Sequence, residues 1–234
     1  MQIFQTSDEQ NVLKCELQLT KKMIDKGELS GELAEVGVMY GGSAKIIREE
    51  IPDIPLHLFD TFIGLPNTII KGVDPDHYRE GDMQVDIEQV KYYFKDYENT
   101  FIYEGKFPQT SDPIKDKKFA FVHIDTDIYQ STRDSLIFFW PRLEIGGSIV
   151  MHDYPAHAGV KKAVDELMDG VGTKHLGKWK VFQCDPMIES GFRQLIIRKR
   201  FNHPLNLYTP PPPKNPQVYL EEKEELEIIK NGKS

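Results

Sequence analysis

The sequence predicts an α/β protein built on a doubly wound, mostly parallel sheet. Short apolar runs alternate with longer amphipathic ones along most of the chain. The most apolar run, FAFVHID at 119–125, is nearly continuous, which is typical of a strand that is buried on both faces. Strands separated by helices pair in parallel through right-handed crossovers, so helices should cover both faces of the sheet. Two late apolar runs predict an antiparallel hairpin at one edge.

The individual elements follow from periodicity and from stop signals. Apolar residues recur at helical spacing in the first segment, and Gly27 marks its end, while Pro52 ends the second helix. The predicted helices are 8–26, 42–51, 86–97, 129–142 and 159–169; the predicted strands are 32–37, 56–60, 100–105, 119–125 and 145–153; the predicted hairpin joins 179–184 to 193–199.

Charge, hydropathy and cysteine content exclude several classes of protein. The formal net charge is −8, whereas nucleic-acid binding requires clustered positive charge. No run approaches about 18 consecutive apolar residues, the length of a membrane span, and the start MQIFQTSDEQ lacks the features of a signal peptide. Cys15 and Cys184 form no metal-type cluster. We therefore expect an acidic cytoplasmic protein that binds neither nucleic acid nor membranes.

A chain of 234 residues is long enough for one well-buried domain. We expect a helical amino-terminal cap at 1–30, the α/β domain at 31–200 and a Pro-rich, charged tail at 201–234. The tail opens with a four-proline run, which is typical of a polyproline spacer with a partly disordered end. The alternative is that its apolar residues dock on a partner subunit: Tyr219, Leu220, Leu226 and Ile228. Apolar residues in the first helix and the tail are compatible with a homo-oligomer.

The first candidate binding site is the turn after the first strand, EVGVMYGGS at 35–43. Glycines at a strand-to-helix turn let a ligand approach the backbone closely. The spacing G-x-x-x-G-G matches neither the dinucleotide fingerprint nor the phosphate loop. Glu35 would repel a pyrophosphate but suits an ammonium or sulfonium group, and Asp60 is placed to hold ribose hydroxyls. The alternative is that Gly41 and Gly42 only permit a tight turn.

Acidic residues also follow two later strands. Asp125 and Asp127 come at the end of the 119–125 run, and His152 and Asp153 end the next strand. Buried acids are costly unless they bind something, and ligands of open α/β sheets bind at the carboxyl ends of the strands. Asp125, His152 and Asp153 are therefore candidates for one divalent-cation site. Alternatively, Asp127 caps the following helix and His152 is an ordinary hydrogen-bonding residue.

A long connection, 63–85, separates the second strand from the next helix and contains His77 and Tyr78. Loops of this length in compact domains are usually functional lids or disordered segments. As a lid, this connection would close over the carboxyl ends of the strands and exclude water.

Taken together, five sequence blocks resemble one enzyme family. They are EVGVMYGGS, FDTFIGLP (59–66), GKFPQT (105–110), FVHIDTDIYQST (121–132) and MHDY followed by GVKKAVDE. In this order, over about 33–170, they resemble the macrocin O-methyltransferases, S-adenosylmethionine-dependent enzymes that methylate sugar hydroxyls of glycosylated natural products, many with Mg²⁺. The resemblance implies a Rossmann-like, seven-stranded sheet of the class I methyltransferase type. It also implies a glycosylated small molecule or a saccharide as the substrate.

The resemblance further implies a role for each matching residue. The residues expected to bind S-adenosylmethionine are Glu35, Gly37, Tyr40, Gly41, Ser43, Asp60, Thr61, Phe62 and Asp125. Asp125, His152 and Asp153 would hold the divalent metal, with Mg²⁺ expected and Mn²⁺ or another ion open. Asp127 would be the general base, and Asp125 would be a second catalytic residue. This chain has His152 where family members often carry a second acid.

Three other functions fit the same residues. The first is a methyltransferase that uses no metal and takes His152 as its base. The second is a metal-dependent hydroxylase. The third is a non-catalytic module that binds the cofactor and acts through protein contacts.

Overall fold

Helices and strands alternate along the parts of the chain that the computed structural model describes, residues 6–172, 181–182 and 193–199. The helices are α1 (Ser7–Asp25), α2 (Gly42–Glu50), α3 (Ile87–Phe94), α4 (Tyr129–Phe139) and α5 (Ala158–Gly172). The strands are β1 (Glu32–Val36), β2 (Leu56–Asp60), β3 (Thr100–Glu104), β4 (Phe119–Ile124), β5 (Leu143–His152), β6 (Val181–Phe182) and β7 (Gln194–Arg198). Single 3₁₀ turns lie at Asp112–Ile114 and Trp140–Arg142.

The strands form one sheet in the order β3-β2-β1-β4-β5-β7-β6. Strands β1 to β5 pair in parallel, whereas β7 is antiparallel to β5 and β6 is antiparallel to β7. The predicted mostly parallel α/β sheet with an antiparallel carboxyl-terminal pair is confirmed, although β6 is only two residues long. The strand order reverses between β1 and β4, and in open α/β sheets that reversal opens a ligand crevice.

The sheet is covered by apolar clusters on both faces. All six residues of β4 are buried, as its continuous apolar sequence predicts. Val122 of β4 belongs to the cluster under α4 and α5, while its neighbour Phe121 belongs to the cluster under α1 and α2. This alternation places the two helical layers on opposite sides of one sheet.

Helix α1 packs on the body of the protein. A capping box starts it, in which the Thr6 hydroxyl accepts from the Glu9 amide and the Glu9 carboxylate accepts from the Thr6 amide. Leu13 and Leu17 are fully buried and share a cluster with β1 and α2. Glu16 pairs with Arg198 of β7. The described part of the expected amino-terminal cap therefore shares the hydrophobic core of the α/β domain.

Two sequence predictions fall partly or wholly outside the described residues. Both readings of the 201–234 tail, spacer or docking segment, lie outside them, as do 179–180 and 183–184 of the predicted hairpin. Among the helices in the described ranges, none combines the length and the apolar character that crossing a membrane requires.

Candidate active site

A cavity opens at the carboxyl ends of β1, β2 and β4. Its volume is about 960 Å³, a figure that includes space open to solvent at the mouth. The lining comes from the turn after β1, the end of β2, both ends of the 63–85 connection, the loops after β3 and β4, and the first turn of α4. The cavity therefore lies at the strand reversal, where the sequence places the candidate ligand-binding residues.

Gly37 lets the ends of β1 and β4 approach each other. Its φ is +86°, and a Cβ atom on it would lie 1.7 Å from the backbone oxygen of Asp125. The Gly37 amide donates to the Phe59 carbonyl and the Asp125 amide donates to the Val36 carbonyl, each over 2.9 Å. Only glycine fits a left-handed backbone in such close contact.

Asp60 fixes the glycine turn from the neighbouring strand. Its Oδ2 accepts from the amides of Val38 and Met39, at 2.7 and 2.8 Å, and its Oδ1 accepts from the Phe62 amide at 2.8 Å. Hydrogen bonds to a charged acceptor are stronger than neutral ones. The carboxylate thus holds the turn while it also lines the cavity.

Glu35 lies beneath the turn. It is fully buried, and its Oε1 accepts from the Ser43 hydroxyl at 2.5 Å and lies 2.7 Å from Nδ1 of His123. Burial raises the pKa of Glu35, although the His123 and Ser43 contacts oppose the rise. Glu35 therefore supports the start of α2 from below through Ser43.

The predicted cofactor residues divide into two groups. Those that line the cavity are Gly37, Tyr40, Ser43, Asp60, Thr61 and Asp125. Glu35, Gly41 and Phe62 are not part of the lining. A Cβ atom on Gly41 would lie 2.8 Å from the Phe94 ring, and Phe62, 2% exposed, packs in the core beneath α2.

The acids and histidines after β4 and β5 meet, as expected for adjacent parallel strands. His152 Nδ1 lies 3.0 Å from Asp125 Oδ1 and 3.2 Å from Asp153 Oδ2. His157 Nδ1 lies 3.4 Å from the same Asp153 oxygen and 3.6 Å from Asp127 Oδ1. Two groups that could hold a metal ion result, Asp125–His152–Asp153 and Asp127–Asp153–His157.

The predicted metal ligands fit a divalent cation. Although His152 Nδ1 is close to two carboxylate oxygens, neither ring nitrogen makes a hydrogen bond of acceptable geometry to any residue in the described ranges. Such short N–O distances without hydrogen-bond alignment are expected of metal ligands, because the lone pairs of the nitrogen and the oxygens are then directed at a shared point between them. An imidazole nitrogen with two carboxylates is a donor set for Mn²⁺ and similar ions, and Mg²⁺ prefers oxygen alone.

Electrostatic coupling within this group is strong. Burial opposes protonation of His152, but Asp125, Asp153 and Glu9 outweigh it and raise the pKa of His152. Burial likewise opposes ionisation of Asp153, yet the His152 and His157 rings lower its pKa to about 2. The His152 ring therefore holds an added proton more tightly than a free imidazole does.

Asp127 does not cap the helix that follows it. The N-cap of α4 is Ile128, and the Tyr129 amide is bonded at 2.7 Å to Asp74 of the 63–85 connection. Asp127 instead accepts from the Tyr78 hydroxyl at 3.1 Å and lines the cavity. Burial, and then the charges of Asp125 and Asp153, raise the pKa of Asp127 well above its usual value. The carboxyl group is thus free of a capping role and binds a proton more readily than a surface aspartate.

The 63–85 connection is folded over the site. Leu65 and Asp82 close its base, where the Leu65 amide donates to the Asp82 carbonyl at 2.8 Å. Tyr78 is buried and packs with Leu65 and Ile128, while His77 is exposed and forms a T-shaped ring pair with Tyr78. Of the two aromatic residues named from the sequence, Tyr78 reaches the site.

Sequence reasoning missed two acidic residues near this site. Asp74 anchors the 63–85 connection to the start of α4, and Glu9 of α1 approaches His152 with 3.7 Å between Oε1 and Nε2. The T-x-x-E spacing of Thr6 and Glu9 signals a capping box, which marks a helix start. Nothing in that pattern indicates that the same carboxylate faces a strand end more than a hundred residues later.

Comparison with known proteins gives one family and a consistent set of relatives. The family model "Macrocin-O-methyltransferase (TylF)" matches residues 13–175. The chain is 29% identical over 150 residues to demethyldecarbamoylnovobiocin O-methyltransferase of Streptomyces niveus, covering 58% of this chain and 57% of that protein. It is 29% identical over 168 residues to 8-demethyl-8-(2,3-dimethoxy-alpha-L-rhamnosyl)-tetracenomycin-C 4'-O-methyltransferase of Streptomyces olivaceus, covering 61% of this chain and 64% of that protein. The chain thus spans about three fifths of the length of these curated relatives.

The fold also matches solved structures. The structure of the O-methyltransferase NovP aligns with a TM-score of 0.61 at 23% sequence identity, covering 81% of this chain and 79% of that one. At this identity the likeness establishes the fold, a class I methyltransferase sheet. The family model covers well over half of the chain, including every block named from the sequence. The chain therefore belongs to the macrocin O-methyltransferase family.

Proposed function

We propose that this protein transfers a methyl group from S-adenosylmethionine to a sugar hydroxyl of a glycosylated natural product, with help from a divalent cation. The single observation that carries the proposal is the position of Asp125. It lines the cavity and belongs to the Asp125–His152–Asp153 group, so a cofactor and a cation would share one wall. If a cation orients the acceptor hydroxyl, the cation must lie next to the methyl donor for the transfer to occur.

The cofactor part of the cavity suits a sulfonium nucleoside. Asp60 faces the cavity at the end of β2, where acidic residues of such folds hold ribose hydroxyls. Gly37 and Gly42 of the glycine turn line the cavity, so a ligand there would meet backbone that carries no side chain. When bound, S-adenosylmethionine supplies an activated methyl carbon, and a divalent cation supplies the positive charge that orients an acceptor hydroxyl and lowers its pKa.

Asp125, His152 and Asp153 would hold the cation. Asp127 is the general base: it lines the cavity two residues beyond Asp125, and its Oδ1 is held by Tyr78. As the acceptor oxygen bonds to the methyl carbon and the carbon–sulfur bond breaks, the hydroxyl proton passes to the Asp127 carboxylate. General-base catalysis of this kind contributes about 10²–10⁴ in rate.

The acceptor class is inferred from the family and from the mouth of the site. The relative from Streptomyces olivaceus carries a rhamnosyl-bearing compound in its name. Met83 lines the cavity, and it and Ile63 are exposed apolar side chains at the base of the 63–85 connection. An exposed apolar edge beside polar site residues suits a molecule with both a sugar and a hydrophobic part.

The test is transfer of labelled methyl from S-adenosylmethionine to a panel of rhamnosylated and other glycosylated aromatic acceptors. Product mass should rise by one methylene per turnover in the wild-type protein with Mn²⁺ or Mg²⁺ present. Asp127→Asn should lower kcat by about 10²–10⁴, because the amide cannot accept the proton. Asp112→Asn, at an exposed aspartate paired only with Lys115 in the described structure, is the matched control and should retain activity. Wild-type kcat in Asp127→Asn would refute the base assignment, and cofactor binding without transfer to any acceptor would indicate a binding module instead.

A further inference from the structure

Glu9 of α1 places a buried carboxylate beside the Nε2 edge of the His152 ring. Glu9 is only 4% exposed, and its Oε1 lies 3.7 Å from His152 Nε2. Its other oxygen, Oε2, accepts from the Thr6 amide at 2.7 Å and the Thr6 hydroxyl at 3.0 Å. The capping box therefore fixes one carboxylate oxygen, and the second lies beside His152 Nε2 at a distance that makes a charge contact rather than a hydrogen bond.

The opposite edge of the His152 ring faces the two carboxylates of the Asp125–His152–Asp153 group. His152 Nδ1 lies 3.0 Å from Asp125 Oδ1 and 3.2 Å from Asp153 Oδ2. The ring is thus placed between an inner pair of carboxylates and one outer carboxylate, with each nitrogen facing a different side. A neutral imidazole has one nitrogen with a proton and one with a lone pair, and an acid behind the ring decides which is which.

We propose that Glu9 is a positioning residue: its charge beside Nε2 would keep the His152 proton on that nitrogen and leave the Nδ1 lone pair available to a cation. This rests on the proposed function, because it requires that a cation binds at Asp125, His152 and Asp153. A metal-bound histidine in proteins almost always donates its second N–H to such an outer partner. The amino-terminal helix is then a part of the metal site. With an oriented nitrogen ligand, the site should favour Mn²⁺, Co²⁺ or a similar ion over Mg²⁺.

The experiment measures Mn²⁺ binding to the full chain by electron paramagnetic resonance and calorimetry. Glu9→Gln should weaken Mn²⁺ binding about 10–100-fold, the usual effect of losing an outer-shell partner. Glu16→Gln is the matched control, since Glu16 lies on the same helix, is equally buried and pairs with Arg198 instead. Mn²⁺ affinity in Glu16→Gln should stay within about twofold of wild type. Melting temperature and S-adenosylhomocysteine binding are recorded for each variant, so that a loss of folding is recognised.

His152→Asp supplies a test that does not depend on the stability of Glu9→Gln. An aspartate ligand needs no proton held behind it, so adding Glu9→Gln to His152→Asp should cause no further loss of Mn²⁺ affinity. His152→Asp alone should also shift the preference toward Mg²⁺.

The outcomes separate the two proposals. Equal Mn²⁺ affinity in wild type and Glu9→Gln, or an equal loss in the His152→Asp background, would overturn the role of Glu9 and leave methyl transfer untouched. A wild-type protein that binds no Mn²⁺ or Co²⁺ yet transfers methyl would overturn both the cation site and Glu9. Loss of methyl transfer with intact, Glu9-dependent Mn²⁺ binding would overturn the enzymatic function and support Glu9.

Discussion

Gly37 provides a sharp test of how the site is shaped, because the structure supplies its own control. Gly37 and Gly27 both have left-handed backbones, with φ of +86° and +70°. A Cβ on Gly27 meets no atom of the described residues within 4 Å, whereas one on Gly37 would lie 1.7 Å from the Asp125 backbone oxygen. Alanine at Gly27 therefore adds only backbone strain, and alanine at Gly37 adds a collision between two strand ends.

The magnitudes follow from that difference. A non-glycine residue in the left-handed region costs roughly 1–2 kcal/mol, which is the expected loss of unfolding free energy for Gly27→Ala. To relieve the collision, Gly37→Ala must also move the ends of β1 and β4 apart. That movement breaks the Asp125–Val36 hydrogen bond between the two strand ends, and the accompanying shift of Gly37 breaks its bond to Phe59 of β2. Each bond is worth about 0.5–1.5 kcal/mol, so together with the backbone strain we expect a total loss of about 2–5 kcal/mol.

Urea denaturation followed by circular dichroism measures both variants, and calorimetry measures S-adenosylhomocysteine binding to the protein that remains folded. Gly37→Ala should lose most of its cofactor affinity, while Gly27→Ala, at the end of α1, should bind as the wild type does. Equal losses of stability in the two variants, or normal binding by Gly37→Ala, would refute the view that close approach of β1 and β4 forms the cavity.

Three further substitutions test separate parts of the site. Asp60→Asn removes the charge that the turn amides bind, so the Kd for S-adenosylhomocysteine should rise about tenfold or more by calorimetry; an unchanged Kd would exclude Asp60 from the cofactor site. Tyr78→Phe removes the donor to Asp127, and kcat should fall about tenfold with KM for the cofactor unchanged; an altered KM alone would contradict this role. Asp125→Ala should abolish Mn²⁺ binding and activity while the melting temperature stays near that of wild type, and normal turnover would remove Asp125 from the site.

The sheet could be predicted because its signals are local. The predicted strand 56–60 coincides with β2, and the continuous apolar run at 119–125 corresponds to β4, which is buried on both faces. Differences occur at element ends, where several structures are compatible with the same residues. The predicted helix 129–142 ends at Phe139 and continues as a 3₁₀ turn over Trp140–Arg142, where Pro141 lacks an amide hydrogen and cannot extend the α-helical bonding.

Only the part of the site that lies at the strand ends could be predicted from the sequence. Asp125, His152 and Asp153 meet because β4 and β5 are parallel neighbours whose paired residues end at Ile124 and Met151. Contacts from distant segments depend on tertiary packing and leave no local pattern. The bond from Tyr78 to Asp127 and the approach of Glu9 to His152 are of this kind.

The backbone conformation of Asp127 and Asp153 accounts for the clustering of acidic side chains that follow two different strands. Asp127 and Asp153 both have left-handed backbones, with φ of +63° and +61°. Such residues cost energy in ordinary loops, and they concentrate at functional sites that the surrounding structure holds in place. Aspartate tolerates this region better than most residues, because its short side chain bonds locally. Each strand therefore ends in a sharp turn at an acid, and the two turns together bring carboxylates into one cluster that extended loops would keep apart.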